Sequence, residues 1–327
     1  MTDSDFQDVA ARRVPFPASV SREARASLAR WADVPRSPYP ELADIDGWIE
    51  LVRQIDRRTL ELARNSDDYR PAEVESHALR LGRAAGFLVT PKTIASRGVL
   101  IDIHGGAFTN GAGVVCEAEA VVSAVQFGVP VYAVDYRMPP LRPYPAGLDD
   151  CIEAYRAVLR THHPSEIVVR GLSAGGNLAG AMILRARDEG LPLPAGALLL
   201  TPELDLTESG DSFGTNKVVD VVIKSSLMQP NLLYAGGHDP THPYLSPLFG
   251  DFTRGYPPTL LTAGTRDMFL SNVARMHVAL RRTGNHSELI VGEGMPHGGF
   301  FGAPEDRALL ADIQEFAGRA WAGRLLS

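Results

Sequence analysis

Arg170-Gly171-Leu172-Ser173-Ala174-Gly175-Gly176-Asn177 decides how this chain folds. Ahead of it runs Glu166-Ile167-Val168-Val169, an apolar β-type stretch, and behind it Leu178 to Asp188 is helix-prone. Strand, sharp turn and helix, with glycine two residues either side of a serine, is the context a G-x-S-x-G nucleophile turn requires. Such a turn is so tight that a side chain at Gly171 or Gly175 would collide with the neighbouring strand or helix. It leaves Ser173 at the tip, its hydroxyl presented to a cleft. Ala174 then opens the helix, where free N–H groups favour negative charge. A serine placed so implies acyl transfer. With 31 glycines in the chain, the plain alternative is an ordinary strand-to-helix turn. Two further parts of the chain weigh against it.

The first is His104-Gly105-Gly106-Ala107-Phe108, which ends the apolar run Val99-Leu100-Ile101-Asp102-Ile103. Acyl transfer creates an oxyanion, and preorganised N–H groups stabilise it; losing one side-chain donor of such a hole costs ~3 kcal/mol in a protease. Glycine lets the backbone approach a substrate closely. The N–H groups of Gly105, Gly106 and Ala174 are therefore the expected donors. Ala107 is a substitute for one of them, since a backbone donor does not depend on its side chain. His104 is expected to orient this loop rather than move protons. The bland alternative is a glycine-rich strand end with no role.

The second is the pair Asp267 and His297. Asp267 follows Thr259-Leu260-Leu261-Thr262-Ala263 through Gly264-Thr265-Arg266, and His297 follows Glu288-Leu289-Ile290-Val291 through Gly292-Glu293-Gly294-Met295-Pro296. Both fall on loops past strand C-termini, the edge of a parallel sheet where sites form. A serine hydroxyl is a weak nucleophile and needs a base beside it. A neutral histidine can take its proton, while a carboxylate fixes the histidine tautomer and stabilises the imidazolium. His162, His163, His238, His242, His277 and His286 read as solvated side chains. Glu203 and Asp205, which follow residues 197–201, are weaker rivals for the acid.

The order serine, aspartate, histidine is that of an α/β-hydrolase. The chain resembles the bacterial hormone-sensitive-lipase-like group of that fold, the family IV carboxylesterases. The resemblance is carried by His104-Gly105-Gly106-Ala107-Phe108, by Asp135-Tyr136-Arg137-Met138-Pro139-Pro140 running into Pro143-Tyr144-Pro145-Ala146-Gly147-Leu148-Asp149-Asp150, by Gly171-Leu172-Ser173-Ala174-Gly175-Gly176, by Gly264-Thr265-Arg266-Asp267 and by Pro296-His297-Gly298-Gly299-Phe300. These stretches lie in the right order over roughly residues 85–325. The stretch from His238 to Phe249 resembles the same segment of esterases and ε-lactone hydrolases. Two positions depart from the group's pattern. Leu172 stands where Asp or Thr is usual before the nucleophile, which leaves a polar contact at the turn unmade and bears on the pocket floor. Ala107 replaces the third glycine of the oxyanion loop.

The resemblance implies a serine hydrolase of carboxylic esters, short- to medium-chain or lactone, working through an acyl-enzyme on Ser173, Asp267 and His297. A deacetylase or amidase would use the same three residues. A ligand-binding receptor on the same scaffold would lack the histidine that His297 supplies. The resemblance also implies a homodimer as an assembly to test.

Composition agrees. A chain of 327 residues can bury a large core and form one α/β domain. With 45% hydrophobic and 22% charged residues it has the make-up of a soluble protein. A net charge of -7 gives no footprint for nucleic acid or an anionic membrane, so neutral substrates are expected. The charged start, with Asp3, Asp5, Asp8, Arg12 and Arg13, argues against a secretory signal, and no run is long enough for a membrane span. Cys116 and Cys151 read as reduced, buried thiols, which points to the cytoplasm. No Cys/His cluster has zinc spacing and no glycine-rich loop ends in a phosphate-binding lysine, so no metal or cofactor is expected.

Apolar runs at 87–90, 98–103, 129–134, 167–172, 197–201, 259–263 and 288–291 read as strands, with helix-prone stretches at 114–126, 147–160, 178–188, 272–282 and 305–322 between them. Gly190 and Gly284 read as helix stops. The alternation predicts an α/β fold, a mostly parallel central sheet with helices on both faces. Two regions fall outside it. Residues 1–60 carry the helical stripe Trp48, Leu51, Val52 and Ile55, which continues to Leu62, and residues 205–237 form an apolar insertion. By resemblance these two make a helical cap, and 61–204 with 238–327 make the catalytic domain. Phe108, Met138, Met228 and Tyr234 are the expected substrate-facing side chains.

Overall fold

The computed structural model describes residues 13–35 and 38–325. Residues 1–12, 36–37 and 326–327 lie outside the described residues, and with them most of the charged start and the first part of the expected N-terminal cap segment. Eight strands form one sheet among the described residues: β1 (Val74–Leu81), β2 (Ala84–Pro91), β3 (Val99–Ile103), β4 (Val131–Asp135), β5 (Ile167–Leu172), β6 (Gly196–Leu200), β7 (Thr259–Gly264) and β8 (Ser287–Gly292). Their order across the sheet is β1-β2-β4-β3-β5-β6-β7-β8. β2 pairs antiparallel with β1 and β4, and every other pairing is parallel. The fold is therefore the expected α/β-hydrolase type.

Successive residues of the central strands bury themselves on opposite faces, as a two-residue repeat demands. Ile101, Val169, Leu199 and Leu261 face one core, shared with α4 (Ala146–Val158), α5 (Ala174–Asp188) and α8 (Leu270–Arg282). Leu100, Val168, Leu198 and Leu260 face the other, shared with α3 (Val114–Phe127) and α9 (Pro304–Trp321). Buried on both sides, these strands read as unbroken apolar runs, which is why they were visible in the sequence. Helices end where glycine allows a left-handed residue: Gly190 and Gly284 follow the last turns of α5 and α8 with φ of +73° and +78°. Cys116 and Cys151 are free and buried.

The structure moves three expected boundaries. The sheet begins at residue 74, not at 87, because polar residues on both faces of the edge strand β1 break its apolar run. β2 extends well beyond 87–90, since it pairs with β1 along its whole length. α2 (Ile45–Arg64) runs through residue 60, so the division expected there falls inside a helix.

Two segments lie outside the sheet sandwich. The first holds α1 (Arg22–Ala32) and α2. The second runs from β6 to β7 and holds α6 (Asp211–Thr215) and α7 (Met228–Ala235). They meet. Val20, Ala24, Leu28 and Trp31 pack with Val221 and with Met295, Phe300 and Ala303. Lys224 Nζ donates to the carbonyls of Trp31 and Val34, both at 2.6 Å, and so closes the C-terminal end of α1. Among the described residues no helix is long and apolar enough to cross a membrane.

Candidate active site

Ser173 sits between β5 and α5 with φ +56° and ψ -119°. That left-handed backbone is strained for a residue with a side chain and persists only where the surroundings over-determine it. Here the surroundings are backbone. A Cβ on Gly171 would lie 2.2 Å from the Gly175 carbonyl oxygen, and one on Gly175 would lie 2.0 Å from that of Ile103. The sequence expectation of collision at both glycines holds. Ser173 N–H donates to the Leu200 carbonyl at 2.9 Å, which anchors the turn to β6.

His297 Nε2 stands 2.9 Å from Ser173 Oγ. Its Nδ1 stands 3.2 Å from Asp267 Oδ1. With a neutral ring, Nδ1–H donates to the carboxylate and Nε2 accepts from the hydroxyl. Asp267 Oδ1 also accepts from Phe269 N–H at 2.8 Å, and the Phe269 ring meets the imidazole edge-on at 4.9 Å. Burial pulls His297 down, but the charge and hydrogen bond of Asp267, with Asp220 behind it, raise it above its ordinary value. The structure thus brings together the three residues singled out in the sequence, 124 and 30 positions from His297. The rivals lie elsewhere. Glu203 accepts from Asn231 Nδ2 at 2.7 Å, and Asp205 is engaged by Arg275, Ser209 and Thr207.

The loop after β3 runs alongside. Gly105 lies against the turn, since a Cβ there would meet Ser173 Cβ at 3.4 Å. Gly105, Gly106 and Ala107 line the same cavity as Ser173, and Ala174 is the first residue of α5. His104 is buried and held neutral by burial. Its Nδ1 donates to the Gly105 carbonyl at 2.8 Å, and its ring stacks on Tyr136 at 4.2 Å. These contacts tie it to the loop it is expected to orient. Asp56 of α2 reaches into the same loop and accepts from Gly111 N–H at 2.8 Å, a contact the sequence did not suggest.

His104, Cys116 and Asp135 hold ligand atoms within 4.8 Å of one another. As a metal site the donor set is poor. Asp135 Oδ1 already accepts from Gly113 N–H at 3.0 Å, and burial with nearby carboxylates drives the Cys116 thiol well up, away from thiolate.

Ser173 and His297 open on a cavity of about 530 Å³. Its walls come from the two outer segments: Leu51, Ile55 and Leu62 of α2, and Val222, Ile223 and Leu227 of the insertion. Leu172, the unusual residue before the serine, lines it too. Arg58 lies 4.5 Å over the Trp31 ring at its rim, and Glu119 is pushed up to about 7, mainly by burial. The four side chains expected to face substrate do not line this cavity. Phe108 and Tyr234 are fully buried in the sheet core and stack on each other at 4.1 Å. Met138 packs against that core, and Met228 opens α7 away from the cavity lining. Phe108 turns inward because its backbone takes φ +61°, a conformation no sequence pattern announced.

Comparison with known proteins agrees with this fold. A family model described as the α/β-hydrolase fold matches residues 100–301. An esterase of Acinetobacter venetianus is 31% identical over 250 residues, spanning 75% of this chain and 82% of that protein. The crystal structure of an esterase named E25 superposes with a TM-score of 0.85 at 30% identity, covering 96% of this chain and 98% of that one. An esterase described as belonging to the bacterial hormone-sensitive lipase family gives a TM-score of 0.76 at 28% identity, covering 92% and 99%.

Proposed function

This chain belongs to the α/β-hydrolase family, in its hormone-sensitive-lipase-like branch, and as a carboxylesterase of that branch we propose that it works through Ser173, His297 and Asp267. The observation that carries this reading is the unbroken relay from Ser173 Oγ to His297 Nε2 and from Nδ1 to Asp267, opening on a partly open, mainly apolar cavity.

His297 takes the Ser173 proton as Oγ attacks the ester carbonyl. The N–H groups of Gly105, Gly106 and Ala174 receive the oxyanion. His297 then protonates the departing alkoxide and the acyl group stays on Ser173. Water, deprotonated by the same imidazole, releases the acid. Asp267 holds the tautomer and stabilises the imidazolium throughout. A raised His297 makes the base effective only above its ordinary titration range, so the acid limb of kcat/KM falls above about pH 6.5.

The outer segments, α1 with α2 and the insertion between β6 and β7, act as the cap. Their apolar wall suits short- to medium-chain acyl esters or lactones without charge, within the usual volume range of small-molecule pockets. Two free buried thiols suit a reducing cytoplasm.

Ser173→Ala should lower turnover of p-nitrophenyl butyrate by about 10⁴-fold or more and abolish fluorophosphonate labelling, with the thermal unfolding curve retained. Undiminished turnover in that variant would end the proposal.

A further inference from the structure

We propose that Asp220, on the segment inserted between β6 and β7, is a positioning residue: its carboxylate ties that segment to the two loops carrying Asp267 and His297, so that the relay is assembled only with the insertion seated. This rests on the triad reading above.

Asp220 is 3% exposed, and among the described residues it forms no ion pair with Lys or Arg. Its oxygens are instead spent on backbone N–H groups from three places. Oδ1 accepts from Val222 and Ile223, at 2.9 and 3.1 Å, which closes a turn in its own segment. The same oxygen reaches the backbone N–H of His297 at 3.4 Å. Oδ2 accepts at 3.1 Å from Met268, the residue after Asp267. Asn216 completes the clasp. Its Nδ2 donates to the Asp267 carbonyl at 2.9 Å and to that of Thr265 at 3.1 Å, and its own carbonyl accepts from Asp220 N–H.

The neighbours of Asp220 pack in opposite directions. Val221 joins the N-terminal helices, and Ile223 packs with Met268 and Phe269 under the imidazole. Withdrawing the insertion would therefore break hydrogen bonds to both loops and remove the packing behind His297. Nothing in this arrangement acts on the ester directly.

Charge adds a second readout. The ionisable groups facing Asp220 are Asp267 from the loop after β7 and His297 from the loop after β8; its own segment offers backbone N–H groups. Burial, with repulsion from Asp267, pushes Asp220 up to about 6. Ionised Asp220 in turn favours the imidazolium. A neutral side chain at 220 withdraws that support, so His297 titrates lower and the acid limb moves to lower pH.

The test is the pH profile of p-nitrophenyl butyrate hydrolysis, followed at the isosbestic wavelength, for Asp220→Asn, Asp220→Glu and Asn216→Ala, each with its thermal unfolding curve. Asp220→Asn should lower kcat about 10- to 100-fold with KM little changed. It should also move the acid limb of kcat/KM to lower pH. Asp220→Glu, which keeps the charge, should return the limb to its wild-type pH. Asn216→Ala, which loosens the clasp without changing charge, should lower kcat and leave the limb in place. A wild-type kcat in Asn216→Ala, or a wild-type limb in Asp220→Asn, would overturn the proposal. Turnover surviving in Ser173→Ala would instead sink the triad reading itself, so the two failures are distinguishable.

Discussion

Ser173 is held by its own neighbours in the chain, whereas Asp267 and His297 are held by residues far from them. The serine's position follows mainly from Gly171, Gly175 and a helix start, all within a few residues, with backbone bonds to Leu200 and Glu203 and the close approach of β3 to Gly175 as its longer-range supports. The proposed acid and base are contacted by Asn216 and Asp220, 51 and 77 positions away from the residues they touch. A nucleophile built locally is fixed as soon as strand and helix form. On the proposal above, a base built at long range is fixed only when an outer segment docks, so the same contacts would join substrate enclosure to chemical competence. The two halves should therefore fail differently when disturbed.

Removal of the nucleophile aside, the largest expected effect falls on the long-range half. Asp267→Asn leaves volume and packing in place but offers an NH₂ or a carbonyl where a carboxylate stood. The imidazole loses its preferred tautomer and the stabilisation of its charged form. An equivalent change in a serine protease lowers kcat about 10⁴-fold, and a drop of that order is expected here with little change in melting temperature. Steady-state kinetics with a p-nitrophenyl ester checks it. A loss below 10-fold would mean that the acid has a substitute, with Asp220 the first to examine.

Gly175→Ala attacks the local half, and it should act through stability as much as through rate. The new methyl group would stand 2.0 Å from the Ile103 oxygen and 2.4 Å from the His104 oxygen, both backbone atoms that cannot swing aside. Overpacking of this kind typically costs about 1–3 kcal/mol, and about 3 is expected because β3 must shift. A melting temperature lowered by roughly 4 °C follows for a chain of this size, because a longer chain unfolds with a larger entropy. Activity should fall with it, because the strand that moves carries the oxyanion loop. An unchanged melting temperature would show that the turn has slack the geometry does not suggest.

This contrast explains what was legible in the sequence. The central strands announce themselves because both faces are buried, and the serine turn because glycine spacing is local. The loops of Asp267 and His297 were readable as strand ends in the right order, though not what holds them. β1 was missed because Glu75, Ser76, His77 and Arg80 break its apolar run on both faces of an edge strand. The cavity wall was half-seen. The stripe Leu51, Ile55 and Leu62 was recognised as an amphipathic face, but which residues meet substrate depends on how α2 docks. Phe108 and Tyr234 were assigned to substrate and belong to the core, because a left-handed residue at 108 sends its ring inward. Asn216 and Asp220 carry no local signal. Each is an ordinary polar residue in an irregular segment until the fold brings the β7 and β8 loops to it.

The smallest expected effect compares two buried carboxyl groups, one behind each half. Glu203 backs the serine turn: its N–H donates to the Ser173 carbonyl at 3.3 Å and its carbonyl accepts from Asn177 Nδ2 at 2.7 Å. Burial pushes its side chain up to about 8, with Asn231 opposing. A carboxyl group that titrates near 8 when folded and near its ordinary 4.5 when unfolded holds more protons in the native state between those values. Stability therefore declines as pH rises through that window. Glu203→Gln removes the charge that must otherwise be buried at high pH while keeping an oxygen for Asn231. Its melting temperature should exceed the wild-type value by a few degrees near pH 8 and converge with it near pH 5. Because Glu203 makes no contact with His297, the acid limb of kcat/KM should stay where it is. Asp220→Asn should do the reverse, moving the limb by way of the imidazole it faces. A Glu203→Gln limb displaced as far as that of Asp220→Asn would erase the distinction between the halves, since charge behind the nucleophile would then reach the base as readily as charge beside it.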